Sequence, residues 1–130
     1  MPPVIVDSSA WIEYFRDPDS AHGDEVERLV KDGDAILVGV VYAELLRGAR
    51  NEGELRSLDE RLEALPFLEA GRETWRRAGQ LLFDLRRQGL TIPLTDAVIA
   101  ALALEGDHRL YTLDEHFQRV PGIRLHQAGA

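Results

Sequence analysis

Apolar residues come along this chain in short unbroken runs, each handed over to a polar or acidic position. Val4-Ile5-Val6, Ala35 to Val38 and Leu110-Tyr111-Thr112 are too short for helices and mostly too continuous for strands with one wet face. The first two therefore predict buried strands of a parallel sheet, and the third a further strand. Phe67-Leu68 predicts a short third strand, and Ile123-Arg124-Leu125, after a Pro121-Gly122 turn, a fifth. Between the runs the pattern changes to a helical one. Asp7-Ser8-Ser9 can cap a helix over Ser8 to Phe15 that Asp17-Pro18-Asp19 ends, and a second helix through Glu25, Val26, Leu29 and Val30 stops at Asp32-Gly33. Tyr42 to Gly48 predicts a third, with Leu45, Leu46 and Ala49 apolar. Leu55, Leu58, Leu62 and Leu65 recur at threes and fours up to Pro66, which ends a fourth. Trp75, Ala78, Gly79, Leu82 and Leu85 share one face of a long helix closed by Gly89, opposite Arg72, Arg76, Arg77, Asp84 and Arg87. Ala97 to Leu104 is apolar all round, so that helix belongs in the interior.

Strands alternating with helices imply right-handed crossovers and a parallel sheet. A length of 130 residues without repeat, low-complexity tract or linker suits one α/β domain spanning 1–130. Cysteine is absent and the single Met is Met1, which excludes disulfides, thiolate chemistry and cysteine-ligated zinc or iron–sulfur sites. The N-terminus has no charged segment leading into an apolar one, and no stretch reaches the ~18 apolar residues of a membrane span, so the expected location is cytoplasmic, with no membrane partner. A net charge of −8 opposes loose attraction to nucleic acid, which depends on Lys and Arg neutralising phosphates. A polyanionic substrate would have to be handled locally, by a bound cation and a few arginines. Lys31 is the only lysine among 15 basic residues, a bias that suits forked phosphate contacts.

Four acids stand beside the apolar runs: Asp7 in VIVDSSAW, Glu44 in VVYAELLRGA, Asp96 in PLTDAVIAA and Asp114 in RLYTLDEHF. Asp7, Glu44 and Asp114 follow strands one, two and four, which places them at the edge where open α/β sheets bind ligands. Asp96 is read as separated from strand three by two helices, and counting directions does not by itself bring its N-terminus to the same edge. Each acid also has a purely structural reading. Asp7 can cap a helix, although Ser8 and Ser9 make a third cap candidate surplus. Asp96 and Glu44 in first helical turns would favour the dipole, Glu44 can pair with Arg47, and Asp114 can cap a helix through Phe117. Taken singly, such acids are structural more often than not; four of them beside strand ends or on a buried helix favour a site. His22, His108, His116 and His126 lack the paired spacing of zinc ligands and are expected at the surface. Trp11 and Trp75 are expected in the core or an interface. Arg16, Arg47, Arg50, Arg86 and Arg87 read as solvated charges, a minority of them available to phosphates.

The blocks VIVDSSAW, Glu44 in the helix after strand two, TDAVIAALA and LYTLDEHF together resemble the PIN domain, and their compact spacing resembles VapC-type toxin ribonucleases, over residues 4–126. The resemblance implies a three-layer α/β/α domain with a short, mainly parallel five-stranded sheet, and endoribonuclease activity that depends on Mg²⁺ or Mn²⁺. It makes Asp7, Glu44, Asp96 and Asp114 the catalytic, metal-binding quartet, with Ser9 and Thr112 as small polar supports. Asp7 would be the central ligand, Glu44 and Asp96 would complete the coordination directly or through water, and Asp114 would support a second ion or orient water. It further implies homodimerisation, a VapB-like antitoxin partner and cleavage of structured RNA at an exposed loop.

Three rivals are weaker. A phosphorelay receiver needs a lysine after a late strand, whereas Lys31 lies in the second helix. A haloacid-dehalogenase-type phosphatase needs Asp-x-Asp after strand one, where Ser9 takes the second place. A non-catalytic binding module on the same fold is opposed by the intact quartet, and a metal-dependent nuclease assay separates the two.

Overall fold

The structure, a computed structural model, describes residues 3–129. Strand β1 (Val4–Val6) leads into helices α1 (Ser8–Arg16) and α2 (Ala21–Lys31), and β2 (Ala35–Val38) into α3 (Gly39–Arg47) and α4 (Glu52–Glu63). Then come β3 (Phe67–Leu68), α5 (Arg72–Arg87), α6 (Leu94–Glu105), β4 (Arg109–Tyr111) and a 3₁₀ turn, Glu115–Arg119. The strands form one parallel sheet in the order β3-β2-β1-β4, with Ile5 opposite both Ile36 and Leu110. Every residue of β1 and β2 is buried. Successive strand side chains face opposite ways, so the sheet is covered on both sides and the domain has three layers. Among the described residues no helix is long and apolar enough to cross a membrane.

Sequence order runs outward from β1 through β2 to β3 and then returns past both to β4, on the other side of β1. The gap between the carboxyl ends of β1 and β4 is therefore the switch point where such sheets open a crevice.

The α5–α6 connection decides what reaches that crevice. Thr74 Oγ1, at the start of α5, donates to Glu105 Oε2, at the end of α6, at 3.1 Å, so the two helices form an antiparallel hairpin. After α6 the chain turns at once into β4, the His108 N–H donating to the Ala103 carbonyl at 2.9 Å. Because α6 descends straight into β4, its first turn lies at the carboxyl edge of the sheet, and Asp96 with it. All seven residues from Ala97 to Ala103 are buried, as an all-apolar helix requires. The α5 face differs from expectation: Thr74, Ala78 and Leu85 are buried, but Trp75 is half exposed. Trp11 is in the core, its indole N–H donating to the Val6 carbonyl at 3.0 Å.

The expected fifth strand is reduced to a single parallel bridge between Leu110 and Leu125. The cause lies just beyond it. His126 is buried and its Nε2 meets Glu25 Oε2 of α2 at 2.6 Å, while the Gly129 N–H donates to Glu25 Oε1 at 3.2 Å. These bonds hold the tail on α2 immediately after its one bridge to β4, and the sheet has four strands.

Candidate active site

Asp7 is the first residue beyond β1 and is almost wholly buried. Its Oδ1 accepts from Ser9 Oγ at 2.6 Å and, more loosely, from the Ala10 N–H at 3.3 Å; its Oδ2 accepts from Thr112 Oγ1 at 2.6 Å. Each hydroxyl is itself oriented by a backbone donor, Ser9 by the Leu113 N–H at 3.0 Å and Thr112 by the Asp114 N–H at 2.9 Å. Two parallel relays, amide to hydroxyl to carboxylate, thus converge on one buried acid, and bonds chained this way polarise one another. The Asp7 N–H donates to the Tyr111 carbonyl at 3.1 Å, which fastens the same strand ends through the backbone.

Asp7 also caps α1. The two serines, expected to make it surplus as a cap, do not: Ser9 spends its hydroxyl on Asp7 itself. Asp114 likewise caps the 3₁₀ turn, accepting from the His116 N–H at 3.0 Å. For both acids the capping role leaves the functional reading open, since a carboxylate using part of its acceptor capacity on a cap keeps lone pairs for a cation.

Asp96, in the first turn of α6, faces Asp114 across the crevice, with His116 Nδ1 between them, 3.2 Å from Asp96 Oδ2 and 3.1 Å from Asp114 Oδ1. One donor atom from each of the three lies within 4.8 Å of the others. His116 was expected to be an ordinary surface residue, as was His126; one is in the acidic cluster and the other is buried. The hint for His116 was its position, two residues after Asp114 and just before Phe117, which is fully buried and anchors the turn. Beside the cluster an open pocket of about 510 Å³, lined by Ser9, Leu113, Asp114, Glu115, His116 and Arg119, gives access from solvent.

Glu44 stands apart. Helix α3 begins at Gly39, so Glu44 lies in its second turn and the first-turn dipole reading fails. Among the described residues no ion pair joins it to Arg47 and no side-chain hydrogen bond joins it to Asp7, Asp96 or Asp114. It is half-buried and lines a groove of about 810 Å³ that also includes Ile12, Phe15, Arg50 and Arg61.

The electrostatics mark the crevice as a place for positive charge. Burial pushes the Asp7 carboxyl above its ordinary value; the Ser9, Thr112 and Ala10 donors oppose this and the charge of Asp96 adds to it. Burial likewise raises Asp96, with His116 opposing and Asp114 adding. Two acids held against ionisation, one of them facing a third, with oxygen donors predominating, fit a hard divalent cation.

The PIN domain family matches residues 4–123. The chain is 30% identical over 131 residues to Ribonuclease VapC11 of Mycobacterium tuberculosis and to VapC ribonuclease Mb1587 of Mycobacterium bovis, in each case covering 98% of both proteins. Its fold is similar to that in the crystal structure of DNA-bound VapBC from Salmonella typhimurium, with a TM-score of 0.83 at 21% identity, covering 97% of this chain and 98% of that one.

Proposed function

We propose, for a chain that belongs to the PIN-domain family and its VapC type, that it is a metal-dependent endoribonuclease and the toxin of a VapBC-type toxin–antitoxin pair. One observation carries the reading: Asp7 is held buried at the switch point by two relayed hydroxyls, with Asp96 and Asp114 at the same edge. A fold does not need that arrangement, because burying a carboxylate is costly unless something compensates it. A divalent ion bound there, Mg²⁺ or Mn²⁺, would supply an activated water and offset charge on the scissile phosphate.

Asp7, Asp96 and Asp114 are the acids proposed to hold the ion. Thr112 and Ser9 keep Asp7 oriented and favour its ionised form. Glu44 is proposed as a further acid of the site, acting from α3 across the neighbouring groove. The open pocket beside Asp114 is where RNA would enter, and Arg119 on its wall suits a phosphate. Sequence kinship with named ribonucleases supports the reaction class, and the net charge supports local rather than diffuse handling of the polyanion.

The partner would be a VapB-like antitoxin, as the VapBC content of the structural neighbour suggests, and the protein would act in the cytoplasm. A homodimer is supported by the exposed Phe67, Trp75 and Leu94. The deciding experiment uses purified protein freed of antitoxin. It should cut structured cellular RNA with Mg²⁺ or Mn²⁺, stop with chelator, and lose activity in Asp7→Asn. Equal cutting by wild type and variant would mean a contaminating nuclease and would overturn the reading.

A further inference from the structure

We propose that His116 is a nitrogen ligand of the bound divalent ion and biases the site towards Mn²⁺ over Mg²⁺, an inference that rests on the nuclease reading above. Three observations support it. The 3₁₀ turn Glu115–Arg119, capped by Asp114 and anchored by the fully buried Phe117, fixes the direction in which His116 leaves the backbone. Its Nδ1 is nearly equidistant from carboxylate oxygens on two different elements, 3.2 Å from Asp96 and 3.1 Å from Asp114. Neighbouring positions of an octahedron with bonds of about 2.1 Å lie about 3.0 Å apart, so both separations are those of adjacent ligands around one ion.

The donor type carries the selectivity. Asp7, Asp96 and Asp114 offer only oxygen, which Mg²⁺ accepts as readily as Mn²⁺ does. An imidazole nitrogen changes that balance, because Mg²⁺ favours oxygen and water, whereas first-row transition ions take nitrogen as well. The side chain is partly open to solvent, so ion and water can reach it from the adjoining pocket.

The test loads the full chain, freed of antitoxin and without RNA, with Mn²⁺ and with Mg²⁺ separately. Calorimetry reads the affinities, and pulsed electron paramagnetic resonance of the Mn²⁺-loaded protein reads any directly bound nitrogen. Wild type should show imidazole nitrogen coupling. In His116→Gln and His116→Asn that coupling should vanish and Mn²⁺ affinity should fall about tenfold or more, with Mg²⁺ affinity falling clearly less. Absence of nitrogen coupling in Mn²⁺-loaded wild type overturns the proposal whether or not the variants fold. So does coupling that survives in the variants, an equal loss for both ions, or tighter Mn²⁺ binding without His116. A wild type that cuts RNA with Mn²⁺ yet lacks the nitrogen signal removes only the His116 assignment; one that neither binds the ion nor cuts removes the nuclease reading as well.

Discussion

Thr112 Oγ1 donates to Asp7 Oδ2 at 2.6 Å, joining the chain just beyond β4 to the chain just beyond β1 across 105 positions of sequence. This bond closes the switch point from which the crevice opens, and it is made to a buried acid whose ionised form Ser9 and the Ala10 N–H also support.

Thr112→Val keeps the shape and removes the donor. Hydrogen bonds to charged groups are worth about 1.5–3 kcal/mol, so the variant should lose stability of that order near neutral pH. Thr112 lowers the Asp7 pKa; without it the folded-state pKa climbs further, and the loss should shrink as acid protonates Asp7. Thr112→Ser should restore most of it. Denaturant midpoints at neutral and acidic pH check this, and an equal loss at both would make Thr112 a packing residue only.

Asp96 gives the cleaner view of site strain. Its folded-state pKa is raised above 3.8, first by burial, so its stabilising contribution is complete below that value and is lost as pH rises through the folded-state value. In chelator near neutral pH, Asp96→Asn should therefore melt at or above the wild-type temperature. Mn²⁺ should raise the wild-type midpoint by linkage and the variant's less. Asp7→Asn mixes two effects, because one of its two terminal atoms becomes an NH₂ donor, leaving either Ser9 or Thr112 without its acceptor. A metal-free Asp96→Asn that melts several degrees lower, with an unchanged response to Mn²⁺, would make Asp96 a structural acid.

Much of this site was legible from the amino-acid pattern because short parallel strands announce where they end. Asp7 and Asp114 follow directly from the runs before them. Asp96 does not follow from the two-residue β3 that precedes it at a distance; the short α6-to-β4 connection is what places it. The tail was hidden for another reason: Ile123-Arg124-Leu125 has strand chemistry, but the Glu25–His126 bond that diverts it joins residues 101 positions apart. His116 was hidden because a lone histidine has no spacing to show, and its partners meet only in three dimensions.

Glu44 separates activity from stability most sharply. It makes no side-chain hydrogen bond or ion pair among the described residues, so Glu44→Gln should shift stability by no more than about 0.5 kcal/mol. If it serves the site, RNA cleavage should nevertheless fall about a hundredfold or more, a loss of roughly 2.7 kcal/mol in the barrier. Thermal melts beside single-turnover cleavage decide this. Full activity would leave Glu44 as a wall of the groove between α1, α3 and α4.

The Glu25 network should behave in the opposite sense to Asp96. Glu25 is buried, and burial alone would push its carboxyl up, but donors from Arg28, His126 and Gly129 outweigh this and hold it down to about 2. A depressed pKa stabilises above the unfolded value of 4.5, and the contribution is lost as pH falls from there towards 2. Removing one member of a buried pair costs about 3–5 kcal/mol, so Glu25→Gln should be strongly destabilised near neutral pH, and its difference from wild type should close across that acid window. Exchange of the amides around His126 and Gly129 should accelerate first, because the Glu25 bonds hold this end of the tail, whereas the Leu110–Leu125 bridge and the Arg124–Asp107 pair hold it further back. The β1–β4 ladder is made by other bonds, and cleavage per folded molecule should persist. A stability difference that stays constant from neutral pH down to about 2 would show that Glu25 acts by shape and packing, and the charged latch would be refuted.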